Sequence, residues 1–500
     1  MTATAAPDRP WTDRLVRPTL PELWTFLSIA LPVLASIIAP LPTVDLAYQL
    51  RAGADILDGN GIPAVDSWTF TAAGTAWLDQ QWGAQAILAV VYRAAGWTGL
   101  AILRAALVGL IFGLLLVAIR VRQPRLGVRV GAWLTLGAFV VAAPALALRP
   151  QLLAMVCFAL TLALLAGRRA RPRLVWLVPL VTIAWANLHG SFVLAPVLVG
   201  LAWLEDLGER APRADGTFLA SLTTSVATLV TPFGLEAWRY AAGLAADAEV
   251  RSRVSEWQPT LPTTVPGLLF WASVIAVGVI VVALVRRRLS LPWPAALTLL
   301  AFAALGAVTG RGVAWWPAIA TATVAGLLPN GGPARTSDRT AERRPPRGSR
   351  LNALVALALV AAAAAALPIW RPVDLATGAP RGLLAYAPAG ITASLRATAG
   401  PDDRVWNPQV WGSWFEHAVP EPRYAFDSRI ELISSATWGA GDRVLGAIGD
   451  WSGLLEQYGV TIVVVEGDSD GSLAKALAGD SRWRLEYADN DGSIWRRAPS

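Results

Sequence analysis

Long apolar runs separated by short polar joints fill the chain from about residue 23 to residue 369. The first run continues to about Val44. Others of near-spanning length follow at 97–119, 130–148, 151–167, 174–186, 191–206, 217–233, 266–285, 289–307, 312–329 and 351–369. A helix that crosses a bilayer needs about 20 apolar residues, so the pattern predicts about 11 transmembrane helices. Two stretches break it. Residues 45–82 form a polar, acidic and aromatic loop with an amphipathic helix over 46–57, and 82–95 is amphipathic and too short to cross, as suits a helix lying in the membrane interface. From 371 to 500 the character changes: 423–426, 461–465 and 483–487 alternate or run apolar like strands, while 451–458 and 471–478 have helical spacing. The predicted fold class is an α-helical polytopic membrane protein with a C-terminal extracytoplasmic α/β domain.

Composition agrees with this pattern. Of the 500 residues, 55% are hydrophobic and 15% charged, with a mean hydropathy of +0.48, outside the balance of a water-soluble globular protein. The net charge of +7 is carried by arginine, with Lys475 the only lysine. These arginines cluster in short joints: Arg120 to Arg129, Arg168 to Arg173, Arg210 and Arg213, and Arg286 to Arg288. Alternate joints being basic is the mark of membrane orientation and not of nucleic-acid binding. It places the N-terminal segment 1–22 and the linker 330–350, with its six arginines, in the cytoplasm, and residues 371–500 outside. No small-residue cleavage pattern follows the first run, which is expected to stay as an uncleaved span. The single cysteine, Cys157, excludes an internal disulfide. Arginine in place of lysine, with abundant Ala, Gly, Pro and Trp, suggests a GC-rich bacterial genome and a bacterial plasma membrane.

Charges on the outer side are informative because no insertion rule puts them there. Asp45 sits where the first span leaves the bilayer. A partly desolvated carboxylate there suits a general base for an acceptor hydroxyl, and it equally suits a cap for the helix that follows. Asp55, Asp58, Asp66 and Asp79 share its loop, where aspartate beside turn residues is commonplace. Arg149 in LALRPQLL and Arg311 in VTGRGVAWW stand at bends with almost no loop. Each either snorkels to headgroups or offers its guanidinium fork to a lipid-linked phosphate. His189 lies in WANLHGSF, a polar knot at an outer turn, and Glu256 in SEWQP lies in a long outer loop. There is no Gly-rich phosphate loop and no internal repeat, so a transporter built from two symmetric halves has little support.

The outer loop carries the run Gly53, Ile56, Gly59, Gly61, Ile62, Pro63, Asp66, Ser67, Trp68, Thr69, Phe70 and Thr71, with RPQ, WANLHGSF and EWQP after it. Together with a first span ending in aspartate, it resembles bacterial polytopic members of the GT-C glycosyltransferase superfamily, which includes protein mannosyltransferases and oligosaccharyltransferases. The resemblance covers roughly 20–330, and VWNPQVWGSWFEH and RYAFDSRIEL resemble the tail of the same bacterial group. It implies inverting transfer of a sugar from a polyprenyl-phosphate or -diphosphate donor to a glycan, lipid or protein acceptor on the outer face. Asp45 would be the base or, in metal-dependent members, a ligand of a divalent cation (Mg or Mn). Arg149, Arg311 and His189 would meet the donor phosphate, with Asp66 and Glu256 secondary or acceptor-side residues. The loop lacks an adjacent Asp-Asp or Asp-Glu pair and the tail lacks W-W-D-Y-G, which speaks against a protein-asparagine acceptor. The alternative is a non-catalytic transporter or assembly partner that holds a lipid-linked intermediate.

Overall fold

The computed structural model describes residues 16–329, 348–467 and 471–498. Most of the expected linker and the first part of the N-terminal segment lie outside the described residues. The membrane part comprises α1 (Leu20–Ile38), α2 (Thr43–Leu57), α3 (Trp82–Arg122), α4 (Val128–Ala142), α5 (Pro150–Gly167), α6 (Val178–Ala186), α7 (Leu194–Gly208), α8 (Ala214–Ala227), α9 (Leu235–Ala246), α10 (Ala248–Arg253), α11 (Val265–Arg286), α12 (Trp293–Val308), α13 (Trp316–Leu327) and α14 (Arg350–Ala366). Among the described residues, six helices are long and apolar enough to cross a membrane, some by continuing through a 3-10 turn. This is a multi-pass membrane protein. Four shorter apolar helices accompany the six, which is why the expected runs at 174–186, 289–307, 312–329 and 351–369 are not all full spans.

Several boundaries differ from the sequence reading. The first span ends at Ile38 and not near Val44, because Pro40 and Pro42 break it and Leu41–Pro42 forms a short strand, β1. Arg104, from α3, closes that helix end: its guanidinium donates to the carbonyls of Ser36, Ala39 and Pro40. The amphipathic helix starts at Thr43, ahead of the expected 46. The separate helices expected at 82–95 and 97–119 are both present within α3, divided by a kink at Gly96, whose φ of 58° and ψ of −155° only glycine adopts readily. At the ends of α5 and α7 opposite the outer loop, Arg168 is buried in ion pairs with Glu205 and Asp206, while Arg122 and Arg169 reach Glu205.

The C-terminal part folds as β2 (Leu384–Ala385), α15 (Ala389–Thr398), β3 (Arg404–Trp406), α16 (Gln409–Ala418), β4 (Arg423–Tyr424), α17 (Ser435–Leu445), α18 (Trp451–Gln457), β5 (Ile462–Glu466), α19 (Gly471–Gly479), β6 (Trp483–Ala488) and β7 (Gly492–Arg497). Five strands make a mixed sheet in the order β4-β3-β5-β7-β6, parallel through β4, β3 and β5 and antiparallel beyond. Strands β3 and β7, absent from the sequence reading, are short or carry arginines that hide their alternation.

A seam joins this sheet to the outer loop. Strand β1 pairs in parallel with β2, Leu41 opposite Leu384. Thr43 donates its hydroxyl to the carbonyls of Ala385 and Tyr386, and Ser428 donates to that of Val44. Farther along, Thr69 bridges to Tyr424, so the loop adds a short rung at the β4 edge. Gly412 allows the sheet-side packing: a Cβ there would lie 1.7 Å from the carbonyl oxygen of Phe426.

Candidate functional site

Four charged groups from distant parts of the chain meet beside the seam. Asp45 is in the first turn of α2, but Pro42 caps that helix and no side chain bonds its first amides. The capping role is therefore not the one Asp45 takes, and its Oδ2 lies 3.3 Å from Arg149 Nη1. Arg149 is extended (φ −139°, ψ 166°) because Pro150 follows it, and Pro150 opens α5. The same Nη1 lies 2.8 Å from Glu256 Oε1, and the other oxygen of Glu256 is 3.4 Å from Arg311 Nε. Glu256 is held in a 3-10 turn, Ser255–Trp257, that packs on a second, Gly310–Ala314. Thr309 donates its hydroxyl to the Glu256 carbonyl, Gly310 N–H donates to that of Gln258, and Arg311 lies 4.5 Å above the Trp257 ring. Burial works to raise the Glu256 carboxyl, yet Arg149 and Arg311 outweigh it and hold it below the usual carboxylate range.

Arg149, Glu256 and Arg311 supply the charged lining of a cavity of about 620 Å³. Its remaining wall comes from 141–147, 258–267 and 310–313, with Gln151 and Ser255. One side is thus the N-terminal end of α11, an apolar helix with few buried residues along its length. The four side chains are between 29% and 36% exposed, so a ligand can reach them.

His189 is close enough for both arginines to act on its charge, though it does not line the cavity. Burial first, then Arg311 and Arg149, lower its pKa to about 3. Its Nδ1 accepts from the Ser191 amide and sits 2.8 Å from the Ser191 hydroxyl. The imidazole is therefore neutral, and what it has to offer is an Nε2–H donor rather than the positive charge expected for a phosphate-binding group. Its neighbour Asn187 ties the turn to α3, accepting from the Trp82 indole and donating to the Val230 carbonyl.

Asp66 lies elsewhere. It is buried at 2% exposure and paired at 2.6 Å with Arg429, whose guanidinium also pairs with Asp427 and stacks between Trp68 and Trp77 at 4.3 and 4.6 Å. That placement is a clamp between the outer loop and the C-terminal part. Asp79 is likewise buried, accepting from Gln85, and burial raises its carboxyl to about 7. Asp58 forms an exposed pair with Arg93. Two groups near the site escaped the sequence reading. Tyr240, on α9, donates to Glu431 at 3.1 Å, and burial pushes the Glu431 carboxyl up. Tyr48, one turn after Asp45 on α2, lies within the electrostatic reach of Asp45, Asp79, Glu431 and Tyr240. Only the string RYAFDSRIEL hinted at Arg429 and Glu431, without assigning either a partner.

No protein-family model and no curated protein matches the sequence. Solved structures do resemble the fold. An oligosaccharyltransferase from Archaeoglobus fulgidus, solved in the apo form and tethered to an acceptor peptide containing the NVT sequon, aligns with a TM-score of 0.51 in each case. The archaeal oligosaccharyltransferase AglB from the same organism, in complex with an inhibitory peptide and a dolichol-phosphate, aligns with a TM-score of 0.55. All three are 10% identical to this chain and cover 95% of it and 74% of their own length. These neighbours are GT-C enzymes, and the chain shares their fold.

Proposed function

We propose that the protein is a membrane glycosyltransferase that moves a sugar from a polyprenyl-phosphate or -diphosphate donor to an acceptor hydroxyl on the outer face of the membrane. The observation that carries this reading is the convergence of Arg149, Glu256 and Arg311 at one cavity, with Asp45 paired to Arg149 at its edge. Its wall includes the end of a lipid-exposed apolar helix, which suits a ligand with a charged head and a long apolar tail. In the proposed reaction the acceptor oxygen forms a bond to the anomeric carbon as the bond from that carbon to the phosphate oxygen breaks. The acceptor proton passes to Asp45, and the electron pair leaves with the phosphate, which Arg149 and Arg311 receive. Attack opposite the leaving phosphate inverts the anomeric centre. A non-catalytic transporter or assembly partner would use the same arginines without turnover, and the fold shared with transferases favours turnover over holding or export.

The test is Asp45→Asn in purified full-length protein in lipid nanodiscs, supplied with a radiolabelled sugar on a polyprenyl phosphate. Loss of a positioned base lowers turnover about 10²–10⁴-fold. Full sugar transfer by a correctly folded Asp45→Asn protein rules Asp45 out as the base.

A further inference from the structure

A divalent cation, expected of Asp45 if it acts as a metal ligand, does not fit the groups in place. Such an ion takes about six oxygen ligands at roughly 2.0–2.6 Å. Here the two carboxylates best placed to share it, Asp45 and Glu256, already share Arg149 Nη1 at 3.3 and 2.8 Å. The second Glu256 oxygen faces Arg311 at 3.4 Å. A metal at the bridge would displace the Arg149 head and leave two cations side by side. Other donors do not make up the set. His189 Nδ1 is taken by Ser191, Asp66 is locked to Arg429, and Asp79 is buried against Gln85. Among the described residues, no group of three or more His, Cys, Asp or Glu is placed to hold a metal ion.

We propose that the Arg149 guanidinium takes the place of a divalent cation in this cleft, bridging Asp45 and Glu256, so that two arginines and no metal meet the donor phosphate. This rests on the function proposed above and assigns its charge chemistry. A phosphate added beside Arg149 and Arg311 finds two guanidiniums already fixed in place. It also orders the steps. A phosphate that engages Nη1 of Arg149 competes with Asp45 for that donor, which frees the carboxylate to take the acceptor proton only once the donor is bound.

Mn²⁺ and undecaprenyl phosphate are the probes, each titrated into the full-length protein in nanodiscs. The first is followed by electron paramagnetic resonance of free Mn²⁺, the second by tryptophan fluorescence. Expected are a Mn²⁺ titration identical in wild type, Asp45→Asn and Glu256→Gln, and a polyprenyl-phosphate affinity that changes less than about twofold with EDTA. Arg149→Gln weakens that affinity roughly tenfold, as the loss of one charge-assisted hydrogen bond does. Saturable Mn²⁺ binding by the wild type that Asp45→Asn abolishes overturns the proposal. So does a tenfold loss of lipid affinity in EDTA that Mn²⁺ restores. Should Arg149→Gln fail to fold, the wild-type Mn²⁺ titration still decides. Should undecaprenyl phosphate bind under no condition, the functional reading fails while the Mn²⁺ result stands on its own.

Discussion

Arg149 and Arg311 reach one carboxylate from opposite sides, and the two contacts differ in kind. Arg149 bonds Glu256 closely, whereas Arg311 is farther away and rests on the Trp257 ring. Arg311 is thus freer to turn toward a ligand. Replacing it with glutamine removes one preorganised donor from the leaving phosphate and is expected to lower turnover about 10²–10³-fold. Arg311→Lys, which keeps the charge but loses the planar fork, should recover part of that loss. Steady-state transfer rates for the two variants check both. At this scale much was legible. Asp45, Arg149, Glu256 and Arg311 stood out because outer-side charges have no part in membrane insertion. Their pairing was not legible, since it joins residues 55 to 107 positions apart through two 3-10 turns with no sequence signature. Arg429 and Glu431 were hidden for the same reason: each acquires its meaning from a partner on another segment, Asp66 or Tyr240.

Among the elements, the outer loop and the helix that follows it carry the strongest constraints. Gly96 makes the kink that divides α3 into an amphipathic and an apolar helix. A valine there must hold a backbone conformation that costs about 1–3 kcal/mol, so Gly96→Val should lower the unfolding temperature measured in detergent or nanodiscs. Periodicity found this division, because the amphipathic character of 82–95 gives way there to the apolar run from 97. The Asp79 carboxyl gives the loop a pH dependence. Burial raises it from 3.8 to about 7 in the folded protein, so between those values the folded state holds a proton that the unfolded state has released. Its contribution is fully present below about pH 3.8 and is lost as pH rises toward 7. Melting curves from pH 5 to pH 8 should show stability falling with pH in the wild type, and a flatter profile in Asp79→Asn.

For the whole molecule, the helical multi-pass character followed from hydropathy, because the bilayer sets helix length, but the count of about 11 spans did not: among the described residues six helices are long and apolar enough to cross. What hydropathy could not give was how the C-terminal part sits, since a soluble sheet has no preferred face toward a membrane until specific contacts choose one. The Arg429 clamp is such a contact. Removing one partner of a buried ion pair leaves an uncompensated charge and costs about 3–5 kcal/mol, so Asp66→Asn should expose the seam to protease at concentrations that spare the wild type. The expected topology is checked by single cysteines placed at 340 and 375 in a Cys157→Ser background: an impermeant maleimide should label the second and not the first in intact cells.

The seam also sets a timetable for biosynthesis. Arg429 lies 363 positions after Asp66, and at roughly 5–20 residues per second the ribosome needs about 20–70 s to deliver it. Throughout that interval the loop holding Asp45 is without the partners that fix its shape. A chain released early would carry the membrane helices and an unfinished loop, and quality-control proteases could tell it from the finished protein by that loop alone.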